Sequence, residues 1–272
     1  MALVLKRLYL GYDHTFEKLA DPRPVELGLI LMSSPIWPIL IVVAYFYFCL
    51  NLGPKLMEHR KPFELKKTII VFNIAQILIN LYIFYESFIE LSYTNWSCEP
   101  VNYSRSPRFL KLVRLYHLYF LVKLSDFLDT VFFVLRKRYR QVSFLHLYHH
   151  FGMFGMTWIA VRFFAGGHGT WLGLFNCPIH AIMYTYYTLS ILDEKWKANL
   201  AFKKFITQIQ MVQFFVMILI YGRLLFLPDC QYSKLCSYFF VPQNFFMLVL
   251  FADFYRKAYI SKKSTDNKKK SS

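Results

Sequence analysis

Hydrophobic residues in this chain come in long blocks separated by short polar stretches. A helix needs about 20 mostly apolar residues to cross a bilayer. Seven segments have that length: residues 29–50, 68–91, 112–135, 143–164, 170–189, 205–226 and 238–255. Pro35 and Pro38 predict a kink in the first. The third is unusually polar, which makes six the next-best count. The pattern predicts an all-α membrane protein, one polytopic domain over 1–272 with a basic tail at 256–272. Residues 1–26 are broken by charges from Lys6 to Glu26 and hold no signal-peptide core, so membrane targeting falls to the first spanning helix.

Composition sharpens this. The chain is 56% hydrophobic and 20% aromatic, more apolar than soluble domains of this size. Its formal net charge of +16 fits either a nucleic-acid binder or a membrane protein with basic loops. The Lys and Arg sit between apolar blocks, with no extended basic helix and no aromatic-basic strand, which argues against a nucleic-acid partner.

Loop charge then sets an orientation. Loops 53–67, 136–142 and 190–204 and the tail from 256 carry twenty Lys and Arg, whereas loops 92–111, 165–169 and 227–237 carry four. The basic side is expected in the cytosol, which places the N-terminus in the lumen and the C-terminus in the cytosol. Two sequons, at Asn95 and Asn102, fall in an expected lumenal loop and mark glycosylation sites. Cys98, Cys230 and Cys236 fall on that same oxidising side, which predicts a disulfide from Cys98 to Cys230 or Cys236. Cys49 and Cys177 read as small buried hydrophobes. Lys269 and Lys270, fourth and third from the end, resemble the retrieval signal of endoplasmic reticulum membrane proteins.

Ionisable groups inside spans cost about 2.5–3.5 kcal/mol on insertion scales, so they usually mark function. Segment three carries Lys123, Asp126, Asp129 and Thr130; segment four carries His146, His149 and His150. Segment five carries Asn176, His180, Tyr184 and Tyr187, and segment six Thr207, Gln208, Gln210 and Gln213. At 100° per residue the three histidines of segment four share an arc of about 100°. The rise along each helix puts these groups at similar depth, which predicts a polar pocket in the cytosolic half with an apolar volume beyond it. Asn73, Gln76 and Asn80 in segment two read instead as helix–helix hydrogen bonds. His117 and His168 read as structural, and His14 and His59 as solvated.

Two chemistries fit the histidines. One is metal binding, as in a metal-dependent membrane lipid desaturase or hydroxylase. Of eight histidines, however, only His146, His149, His150 and His180 fall near one another, too few for a di-iron site, so no metal is assigned. The other is acyl transfer. A neutral imidazole can attack a thioester, and the acyl-imidazole that results is itself an acyl donor. Asp126 or Asp129 could hold the tautomer, and Asn176, Tyr184 and the glutamines could bind a developing oxyanion. Cytosolic lysines, Lys204 among them, suit coenzyme A phosphates. A seven-helix receptor or lipid transporter is the non-enzyme alternative.

Four motifs in order resemble the very-long-chain fatty acid elongase family. They are Lys123-Leu-Ser-Asp126-Phe-Leu-Asp129-Thr130, His146-Leu-Tyr-His149-His150, Asn176-Cys-Pro-Ile-His180-Ala-Ile-Met183-Tyr184 followed by Tyr187, and Thr207-Gln208-Ile-Gln210. The Gly166-Gly-His-Gly169 turn is similar too. The family usually has Glu where this chain has Asp126. The resemblance implies seven transmembrane helices enclosing a narrow acyl tunnel. It implies an acyltransferase, a very-long-chain 3-oxoacyl-CoA synthase, that condenses long-chain acyl-CoA with malonyl-CoA and needs no cofactor. His149 would take the acyl group with help from His180, and His146 and His150 would handle protons or orientation. The implied partners are the reductases and dehydratase of the elongation cycle, membrane lipid and a second copy of the chain.

Overall fold

The computed structural model describes residues 2–261, and the described residues are helical with no strand. Lys269 and Lys270 lie outside the described residues. Twelve α-helices follow in chain order: α1 Ala2–Asp13, α2 Arg23–Glu26, α3 Ile36–Tyr47, α4 Gly53–Met57, α5 Lys66–Leu91, α6 Pro107–Ser125, α7 Phe127–Leu135, α8 Phe144–Phe163, α9 Thr170–Leu192, α10 Glu194–Ala198, α11 Leu200–Leu224 and α12 Lys234–Tyr255. The chain divides into two units, Met1–Glu64 with Val101–Gly169, and Leu65–Pro100 with Thr170–Ser272.

Each of the seven apolar blocks is largely helical among the described residues. Four of them are long and apolar enough to cross a bilayer: Ile36–Met57, Lys66–Leu91, Leu200–Leu224 and Lys234–Ser261. The shortest has 22 residues, about 33 Å of helix at 1.5 Å per residue. The blocks in α6 with α7, α8, and α9 are those that carry Lys123 to Thr130, His146 to His150 and Asn176 to Tyr187.

Prolines shape these rods in ways the hydrophobic pattern does not reveal. Pro35 is the N-cap of α3 and Pro38 sits in its first turn, where missing N–H groups cost nothing. The first block therefore begins its helix at residue 36 instead of 29, with no kink at either proline. The wide turn comes later: α3 passes through a π-turn at Phe48–Leu52 into α4, just ahead of Pro54, which has no N–H to give. Gly53 sits at that junction. A Cβ there would lie 2.6 Å from Val134 Cγ1 and 2.8 Å from the Phe48 carbonyl, so its bareness lets α4 approach α7.

In the first unit α6 and α3 pack on α8, around Phe120, Phe127, Phe154, Trp158 and Val161. A buried ion pair ties the amino-terminal segment to this core. Arg23 donates to both Asp21 carboxylate oxygens at 2.7–3.0 Å, and to the carbonyls of Asn102 at 2.8 Å and Ser104 at 3.1 Å. Arg162, near the end of α8, donates to the carbonyls of Asp21 and Phe16. These pairings satisfy charges that burial would otherwise make costly. Leu31 has a left-handed φ of 64°, and its carbonyl accepts the Trp158 indole N–H at 2.8 Å. His117 contacts the Ile30 carbonyl at 3.0 Å, as a structural reading requires.

In the second unit α5 packs along α9, and α11 packs on α12 and α9. Asn73, Gln76 and Asn80 form a buried stripe on α5. The Asn80 amide donates to the Gln76 carbonyl of its own helix at 2.8 Å, not to a neighbouring helix as the sequence suggested. Cys98 is bonded to Cys230, with Cα atoms 5.7 Å apart, and joins the α5–α6 loop to the α11–α12 loop. Cys236, the other sequence candidate, is a buried thiol on α12, and Cys49 and Cys177 are buried and outside any disulfide.

Candidate active site

The first unit holds the histidine box. Ser143 caps α8, its hydroxyl oxygen accepting the His146 N–H at 3.3 Å. That cap starts the helix so that His146, His149 and His150 fall in its first two turns, at the i, i+3 and i+4 spacing that brings side chains together. The His146 and His150 ring centroids are 4.1 Å apart, and those of His149 and His150 are 5.6 Å apart. His150 is buried; His146 and His149 are half-buried.

Helices α6 and α7 bring the acidic motif to these rings. Asp126 stands at the break between the two helices, and its Oδ2 lies 3.2 Å from Lys123 Nζ, both side chains buried. The shorter aspartate thus reaches the lysine three residues back. Lys123 Nζ also lies 5.0 Å from the Tyr119 ring centre. Thr130 is one turn further along, with its hydroxyl 2.9 Å from His146 Nε2. Asp129 is half-buried beside it.

Sequence reasoning missed one member of this cluster. The Tyr45 hydroxyl is 2.7 Å from Thr130 Oγ1, and its ring stacks on Phe127 at 4.0 Å. Tyr45 sits in the apolar run Ala44-Tyr-Phe-Tyr-Phe48, where nothing in the sequence separates it from its neighbours.

The second unit holds the other two motifs. Asn176, His180 and Tyr184 are buried on one face of α9, spaced by four. Tyr184 touches the His180 ring at 6.1 Å, Phe72 edge-on at 5.9 Å and Tyr187 at 5.8 Å, while Tyr187 itself is exposed. Pro178 lies between Asn176 and His180 and leaves the Leu174 carbonyl without its usual helical donor.

The Thr207–Gln213 set does not act as one group. The Thr207 hydroxyl donates to the Lys203 carbonyl of its own helix at 3.1 Å. Gln208 is exposed and donates to the Tyr255 hydroxyl at 3.1 Å on α12, whereas Gln210 reaches Met183 Sδ at 3.9 Å on α9. Two residues apart on a helix is about 200°, which separates them. Gln213 is buried, and Lys204 Nζ lies 5.9 Å from the Tyr259 ring centre.

Among the described residues, no group of three His, Cys, Asp or Glu side chains is arranged to hold a metal ion. The family model of the ELO (GNS1/SUR4) family matches residues 30–267. The chain belongs to the ELO family. It is 41% identical over 264 residues to very long chain fatty acid elongase 7 of Drosophila melanogaster, covering 96% of this chain and 80% of that protein. It is 42% identical over 251 residues to very long chain fatty acid elongase 7 of Rattus norvegicus, covering 91% and 88%. Against very long chain fatty acid elongase 1 of Homo sapiens it is 38% identical over 246 residues, covering 89% and 87%. The ELO match encloses all four motifs, and it runs against the desaturase or hydroxylase reading of the histidines.

Proposed function

We propose that this ELO family protein is the condensing enzyme of fatty acid elongation, a 3-oxoacyl-CoA synthase that extends long-chain acyl-CoA by two carbons from malonyl-CoA. The observation that carries the reading is the His146–His149–His150 cluster on α8, hydrogen-bonded to Thr130 and set beside the buried Lys123–Asp126 pair. In the proposed route a His149 ring nitrogen attacks the acyl thioester carbon, and the coenzyme A thiolate leaves and takes up a proton. Malonyl-CoA then loses carbon dioxide. Its enolate carbon attacks the acyl-imidazole, the C–N bond breaks as the 3-ketoacyl-CoA forms, and the departing imidazolate takes up a proton from solvent to restore the neutral imidazole. A neutral imidazole is the reactive form of the nucleophile. His146 and His150 orient and move protons. His180 is assigned to assist on its motif alone, and Asn176 and Tyr184 to hydrogen-bond the developing oxyanion.

The reading extends to the setting. Seven spans and a lumenal N-terminus with a cytosolic C-terminus rest on the apolar blocks and the loop charges, and an acyl tunnel lined by the spans rests on the family resemblance. Residence in the endoplasmic reticulum is part of the same proposal, and the reductases and dehydratase that complete the cycle are the proposed partners, with a homodimer as the proposed assembly. Asn95 and Asn102 are the proposed glycan acceptors. Both are exposed, and each side-chain oxygen accepts the N–H of the serine two residues on, at 2.9 Å.

The test is malonyl-CoA-dependent formation of 3-ketoacyl-CoA by the purified protein in detergent, with a chelator present, across acyl-CoA lengths. Product formation by the protein and its loss in His149→Ala support the reading. No product at any length from intact, monodisperse protein overturns it. Acyl label trapped on His149 before malonyl-CoA is added separates the covalent route from direct attack with a histidine as base.

A further inference from the structure

Tyr45, Thr130 and His146 form a line of hydrogen bonds, Tyr45 Oη to Thr130 Oγ1 at 2.7 Å and Thr130 Oγ1 to His146 Nε2 at 2.9 Å. The direction of that line follows from counting protons. Tyr45 is 6% exposed, its ring lies flat on Phe127, and among the described residues Thr130 is the partner of its hydroxyl. A buried phenol that fails to donate leaves an O–H without a partner in apolar surroundings, at a cost comparable to a lost hydrogen bond. Tyr45 therefore donates and Thr130 accepts. Thr130 is fully buried and has one proton of its own; with its oxygen already accepting from Tyr45, that proton points to His146 Nε2. His146 Nε2 is then the acceptor and carries no proton.

We infer that Tyr45 is a positioning residue for the histidine box, acting through the Thr130 hydroxyl to hold His146 as the neutral tautomer protonated on Nδ1. The opposite arrangement, with His146 Nε2–H donating, directs two donors at the Thr130 oxygen and strands its own proton in the core. The polarity is thus set from α3, an element that contributes no other residue to the box. His146 packs on His150 at 4.1 Å, so the tautomer of one ring decides which of its atoms can exchange a proton with the next. The consequence for turnover rests on the condensing-enzyme reading; the tautomer assignment does not.

The experiment uses the full-length protein in detergent with 15N-labelled histidine, in wild type, Tyr45→Phe, Thr130→Val and the double variant. Tyr45→Phe keeps the ring on Phe127 and removes only the donor. Ring 15N shifts, assigned to His146 by their absence in His146→Gln, should show one Nδ1-protonated tautomer in wild type and a mixture in Tyr45→Phe. Turnover should fall about tenfold in kcat, the scale of one neutral hydrogen bond, with KM for malonyl-CoA unchanged. The double variant should fall no further than Thr130→Val, because both changes cut the same line. Thr130→Val alone tests the tautomer if Tyr45→Phe does not fold. An Nε2-protonated His146 in wild type, or an unchanged tautomer in either single variant, overturns the inference. A tautomer shift in a protein that shows no condensation leaves the inference standing and removes the functional reading instead.

Discussion

Asp126→Ala isolates the energetics of the buried motif. Asp126 and Lys123 form an ion pair at 3.2 Å, with side chains 4% and 1% exposed. Removing the carboxylate takes away the ion-pair partner of a buried ammonium group, and breaking a buried pair by deleting one partner costs about 3–5 kcal/mol. The Tyr119 ring at 5.0 Å from Lys123 Nζ remains; a cation–π contact of this kind is worth about 0.5–2 kcal/mol and pulls the loss toward the lower end. A loss of about 3 kcal/mol corresponds to a fall of about 6–12 °C in the unfolding midpoint for a chain of this size class. The assay is thermal unfolding in detergent, followed by tryptophan fluorescence. Lys123→Met with Asp126→Leu replaces both charges by apolar groups of similar size and should recover most of the midpoint, because no charge is left uncompensated. Asp126→Glu keeps the carboxylate one methylene further out and should keep the pair. A midpoint for Asp126→Ala within about 1 °C of wild type, where this argument requires about 6 °C or more, refutes it. So does a double variant as unstable as the single one. Either result means that water reaches the pair and that its charges are solvated.

Other predictions follow from separate parts of the molecule. Cys98→Ser opens a loop of sequence separation 132, for which the chain-entropy relation gives about 5 kcal/mol as an upper figure, and non-reducing against reducing electrophoresis should show a mobility shift in wild type only. Gly53→Ala drives a methyl group into Val134 and the Phe48 carbonyl, an overpacking cost of about 1–3 kcal/mol read as a lower thermal midpoint. Glu26 receives two hydrogen bonds from Arg105, which hold its carboxyl below the usual range. A depressed folded-state value means that the pair stabilises above the unfolded value and that this contribution is lost as pH falls through the folded one. Both partners are exposed, so Arg105→Ala should leave the midpoint at neutral pH unchanged, and a large fall there would count against the solvent screening assumed.

Much of the architecture was legible because it depends on properties that are local in sequence. A 20-residue apolar block must bury or span as a helix. The i, i+3, i+4 spacing of His146, His149 and His150 decided that their side chains would meet whatever packed around them. The same periodicity grouped Asn176, His180 and Tyr184 on one face of α9. Lys123 and Asp126, three apart, meet by the same spacing.

Contacts between residues distant in sequence were decided by tertiary structure. Tyr45 is 85 residues from Thr130 and lies in a run of equally apolar aromatics, so only the packing of α3 against α7 and α8 selects it. The choice of Cys230 over Cys236 as partner of Cys98 depends on which cysteine sits in the loop and which on α12. Gln208 and Gln210 look alike in sequence and bond to different helices, because each amide takes whatever lies on its own side of α11. The helical period determines which residues of one element share a face; which partner that face meets is set by the packing of elements far apart in the chain.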